Sequence, residues 1–142
     1  MSERQRLRSL GRLVDLQSRK VDSLSADVAK KRATRERFIR NVSTLEELAH
    51  SSGPIGGSPV LALNRAGYKQ AMLRMAATHR LDLSLHESEL ALSQRELTNA
   101  ARRHEALDQV LQREHSTVRH VTKVKEQKQQ DELASQVWWR NK

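Results

Sequence analysis

From Leu7 onward, apolar residues return after three and then four positions. One column reads Leu7, Val14, Val21, Val28, Arg35, Val42 and Ala49; the other reads Leu10, Gln17, Leu24, Lys31, Phe38 and Leu45. Ten of these thirteen positions are apolar, a run too long for chance. Val in one column and Leu in the other is the composition of a coiled-coil seam. Gln17, Lys31 and Arg35 interrupt it, and long cationic side chains can lay their stems on a seam while keeping the charge in water. The pattern stops at residues 51–59, which hold three of the five glycines and both prolines. Proline removes a backbone donor and glycine makes helix costly, so this stretch reads as a loop.

After the loop the heptads resume. Ala76, Leu83, Leu90, Leu97, His104, Leu111 and Val118 form one column; Met72, His79, His86, Ser93, Ala100, Leu107, Glu114 and Val121 form the other, with ten of fifteen positions apolar. Beyond Val121 the pattern fades into a polar but helix-favouring run that closes on Val137, Trp138 and Trp139. The predicted elements are helices over residues 4–50 and 60–138 around a tip at 51–59. At 1.5 Å per residue they measure about 70 and about 120 Å. A short connection makes neighbouring helices antiparallel, with residue i facing roughly residue 110 minus i. Leu7 then lies near Arg103, and roughly thirty-five C-terminal residues are left as a single helix, which is marginal in water. The expected fold class is all-α: one domain over residues 1–142, two long helices in an antiparallel coiled-coil hairpin, the second longer and protruding.

Composition narrows this further. Aromatic residues make up 3% of the chain and the mean hydropathy is -0.75, which argues against a thick globular core. Steady Leu, Val and Ala argue against full disorder. Cysteine is absent, so disulfides, thiol nucleophiles and cysteine-ligated zinc are excluded. The arginines at 4, 6, 8 and 12 have no apolar run behind them, so no secretory signal is read, and no stretch approaches the ~18 apolar residues of a membrane span. The net charge of +9 suits an acidic partner (nucleic acid, anionic lipid or an acidic protein surface) or simply a solvated face.

Catalytic chemistry finds little support. His79, His86 and His104 occupy seam positions, and their spacing matches neither an i, i+4 metal pair nor HExxH. A two-helix coil also offers no pocket for a general acid or base. Gly53-Pro54-Ile55-Gly56-Gly57 lacks the lysine of a phosphate loop. No enzyme activity, cofactor or metal is expected. The cluster Lys30, Lys31, Arg32, Arg35, Arg37 and Arg40 carries the charge needed to bind phosphates but no aromatic interleaving and no zinc-finger spacing. The Trp138–Trp139 pair suits either a protein interface, where Trp and Arg are favoured anchors, or a membrane surface.

Three local stretches carry a family resemblance. The first is Leu7 to Val14 with Asp15, Lys20 and Val21. The second is Leu63-Asn64-Arg65-Ala66-Gly67-Tyr68-Lys69-Gln70, an N-x-x-x-Y entry to the second helix. The third is Lys128-Gln129-Gln130-Asp131-Glu132-Leu133-Ala134, a closing K-x-x-[DE]-E-x-A segment. Together with the short helix, Gly/Pro/Ser tip, longer helix and basic tail, the chain resembles the FliJ family of flagellar export proteins and its YscO-type injectisome counterparts over essentially its whole length. The stretch from Asn64 to Gln70 points to the flagellar branch. The resemblance implies a monomeric, non-catalytic coiled coil at the cytoplasmic face of a type III export apparatus. It implies three partners: the hexameric export ATPase, the cytoplasmic domain of the export gate protein, and export chaperones. For the ATPase ring it implies Arg4, Arg8, Arg12, Lys125, Lys128, Leu133, Trp138 and Arg140. For the gate it implies Tyr68, Met72 and Met75, one face at i, i+4 and i+7, although Met72 can equally be plain seam. Two other readings of the residues stay open: a basic helical hairpin that binds nucleic acid, and a generic scaffold coil that pairs with a partner helix.

Overall fold

The structure, a computed structural model, describes residues 2–51 and 57–142. Residues 52–56, most of the expected tip, lie outside the described residues. Two helices make up the fold: α1, Glu3–His50, of 48 residues, and α2, Pro59–Arg140, of 82 residues. The fold class is all-α, with the two long helices packed against each other.

Local chemistry explains where each helix starts. Ser2 caps α1: its Oγ accepts from the Gln5 amide at 3.3 Å, while Gln5 Oε1 accepts from the Ser2 amide at 3.1 Å, a reciprocal capping box. Ser58 caps α2, its Oγ accepting from the Leu61 amide at 3.4 Å. Pro59 follows as the first helical residue, where a missing N–H costs nothing and its fixed φ already suits the helix.

The chain divides into two compact units, Asp22–Thr98 and the combination of Met1–Val21 with Asn99–Lys142. In the first, segments of α1 and α2 run antiparallel over a seam of Val28, Val42, Ala49, Ala76 and Leu90, all buried. Phe38 sits between two imidazoles, its ring centroid 6.1 Å from His79 and 5.9 Å from His86. The cationic interruptions find partners across the seam. Lys31 Nζ donates to Ser93 Oγ at 2.5 Å and pairs with Asp27 at 3.3 Å, and His86 Nε2 lies 2.9 Å from the Lys31 carbonyl. Arg35 Nε donates to Glu87 at 3.0 Å, and Arg80 pairs with Glu46. In the second unit Val14 and Ala100 are buried, and the third interruption, Gln17, donates to the Ala100 carbonyl at 3.1 Å.

Every α1 column position is buried or half-buried, as is every α2 column position from Met72 to Val118; Val121 is exposed. The expected pairing offset needs correction. It put Gln17 opposite Ser93 and Lys31 opposite His79. Instead Gln17 meets Ala100 and Lys31 meets Ser93 and His86, so α2 is displaced by two helical turns or more. The reason lies at the start of α2. Extending its columns backward from Met72 and Ala76 reaches Lys69, Arg65 and Ala62, of which only the small alanine is apolar, and residues 59–71 are all exposed. Pairing begins only where the columns become apolar. The unpaired C-terminal run is correspondingly shorter than about thirty-five residues: it starts after Val118.

A seam this thin should be sensitive to single truncations. Leu90→Ala is expected to cost about 2 kcal/mol in urea denaturation, the low end for a buried leucine because two helices can close up around the gap. At Gly11 an added Cβ meets nothing within 4 Å. Gly11→Ala should therefore stabilise the coil by about 0.5–1 kcal/mol through helix propensity alone, read as a raised denaturation midpoint.

Candidate interaction surfaces

Among the described residues, two open grooves lie along the helices. In the unit Asp22–Thr98 a groove of about 410 Å³ is lined by Arg32, Arg35, Glu36, Glu87, Leu90 and Gln94. In the other unit a groove of about 300 Å³ is lined by Arg6, Ser9, Leu10, Leu13, Val110 and Glu114. Both are open to solvent. Among the described residues no three His, Asp or Glu side chains converge on a point that could hold a metal ion. What the molecule offers is exposed surface.

One such surface is the end of α2. From Arg119 to Arg140 the helix continues with every residue exposed. It remains helical because residues 123–130 are good helix formers, and it stays bare because α1 begins at Glu3 and, with Gln17 opposite Ala100, has no residue left to cover it. Lys125, Lys128, Leu133, Trp138 and Arg140 all lie on this segment. Leu133 and Val137 are one turn apart on one face and are exposed. Trp138 and Trp139 are 55% and 69% exposed, their rings 5.3 Å apart and near-perpendicular at 82°. Lys142 Nζ lies 4.0 Å above the Trp138 ring, a cation–π contact worth about 0.5–1 kcal/mol at an exposed site. Arg4, Arg8 and Arg12 are exposed on α1 in the same unit. This unit thus holds all eight residues assigned to the ATPase ring.

The three residues assigned to the gate lie in the other unit, at the start of α2. Tyr68 and Met75 are exposed; Met72, in the seam column, is half-buried. Leu61 extends this face and was passed over in the sequence, although its seven-residue spacing from Tyr68, and that of Tyr68 from Met75, was the available signal. The basic residues Lys30, Arg32, Arg37 and Arg40 are exposed on α1.

A family model described as "Flagellar FliJ protein" matches residues 5–142. The chain belongs to the FliJ family. Comparison with curated proteins and with solved structures returned no significant match. Membership makes this FliJ-family chain a flagellar export component of a structural kind. Among its described residues no helix is long and apolar enough to cross a membrane.

Both tryptophans of the chain sit on the bare end of α2. The free protein should therefore show the emission of a solvent-exposed indole, strong quenching by iodide, and little spectral shift on unfolding in urea. A blue-shifted, quencher-resistant emission would contradict the exposure of this segment.

Proposed function

We propose that this FliJ-family chain is a non-enzymatic, monomeric stalk of the flagellar type III export apparatus. Its unit carrying both chain termini inserts into the hexameric export ATPase ring and promotes its activity. The observation that carries this reading is the run from Arg119 to Arg140: a helix that continues past its last seam residue with cations and large apolar side chains all exposed. Such a segment has no intramolecular surface to cover, and an isolated helix is marginal in water, so a partner that buries it supplies the missing stabilisation. Lys125, Lys128 and Arg140, with Arg4, Arg8 and Arg12, supply positive charge for an acidic ring interior; Leu133 and Trp138 supply apolar anchors. Tyr68, Met72 and Met75, at the start of α2, form the contact with the cytoplasmic domain of the export gate, and the coil escorts export chaperones at the cytoplasmic face of the inner membrane.

Removing residues 125–142 tests the central step. The truncated chain should keep its helicity per residue and its denaturation midpoint, because every deleted residue is exposed, and should lose the ability to stimulate the export ATPase. Undiminished stimulation by a folded truncated chain would refute the role given to this segment.

A further inference from the structure

The outer side of α2 in the unit Asp22–Thr98 carries a second apolar row that neither the seam nor the stalk reading uses. Leu81, Leu85 and Leu92 are 70%, 67% and 59% exposed. At 100° per residue they fall within an arc of about 40°, on the side of the helix opposite the Met72–Ala76 columns. From Leu81 to Leu92 the row runs about 17 Å, three turns of helix. Along one edge of it lie Asp82, Glu89 and Glu96, spaced by seven residues and all exposed. Among the described residues neither Asp82 nor Glu96 has an ion-pair partner, and Glu89 has only His86, at 3.9 Å. These three carboxylates stand out on a chain of net charge +9, with Arg95 exposed along the opposite edge of the row.

The geometry points to a docking face for a basic amphipathic α-helix: a partner whose leucine-type stripe covers Leu81, Leu85 and Leu92 while Lys or Arg along one edge meets Asp82, Glu89 and Glu96. Leu81, Leu85 and Leu92 stand at i, i+4 and i+11 of one helix face, with Ser88 between them, and suit the apolar stripe of a partner helix, while charges beside such a stripe select partner and orientation. A second copy of this chain fits poorly. Two copies packed antiparallel through this row set acidic edge against acidic edge. The basic outer row of α1 (Lys30, Ala33, Arg37 and Arg40) answers the charge but meets three leucines with one alanine and three cations. The inference does not rest on the stalk reading, because none of these residues belongs to the faces assigned there.

The test uses the full chain and two synthetic helical peptides with the same Leu stripe, one flanked by Lys and one by Glu. Fluorescence anisotropy of the labelled peptides should show the Lys-flanked peptide binding and the Glu-flanked one failing to bind. The triple variant L81Q/L85Q/L92Q keeps helix propensity and should keep the circular dichroism and melting of the native chain, while weakening the Lys-flanked peptide at least about tenfold. The charge variant D82K/E89K/E96K should exchange the preference between the two peptides. The proposal is overturned by no binding of the Lys-flanked peptide, by binding that the Gln variant leaves unchanged, or by equal binding of both peptides. Self-association abolished by the Gln variant would also overturn it, since the occupant would then be a second copy.

Discussion

The structure depends on one narrow apolar seam between two helices. Each side contributes a side chain every three or four residues, and among the described residues no sheet or third helix adds to what is buried. A seam of this kind tolerates polar interruptions only if each is answered from the other side. Here Gln17 reaches the Ala100 carbonyl, Lys31 reaches Ser93, and Arg35 reaches Glu87. These contacts add little net stability, since half-exposed ion pairs contribute at most about 1 kcal/mol. Their larger effect is on register. A heptad coil can slide by seven residues and still present apolar side chains to apolar side chains, whereas a lysine slid away from Ser93 meets a different neighbour.

The surfaces available to partners follow from where that seam begins and ends. At the start of α2 the column positions are Ala62, Arg65 and Lys69, and the helix runs on uncovered. After Val118 no residue of α1, which begins at Glu3, remains to pair with α2, and again the helix continues without a covering partner. Helix propensity is satisfied along both stretches while burial is not, so both carry exposed apolar residues: Leu61, Tyr68 and Met75 in one, Leu133, Val137 and the two tryptophans in the other.

Much of this was legible in the sequence. The heptad columns named every buried residue of α1, and the Gly/Pro run separated the helices. The loss of pattern beyond Val121 marked the bare end, and the paired tryptophans stood out on it. Those signals are local: each rests on the period of one helix or on the backbone preference of a few residues. The capping box at Ser2 and the role of Pro59 were written in the sequence as well, but they move a helix boundary by only a residue or two.

By itself, the sequence determined that there are two helices, which stripe of each is apolar, and that they are all-α partners. Only the tertiary structure decided how far one lies along the other, and therefore which exposed stretches are uncovered and by how much. The physical reason is that periodicity defines the face of a helix but not its position along the axis. An apolar stripe looks the same after a shift of one heptad. The choice is made by where the columns of α2 turn apolar, at Met72, and by a few cross-helix pairs, Gln17 with Ala100 and Lys31 with Ser93 among them. Their partners are more than sixty residues apart in the chain, and no local pattern joins them.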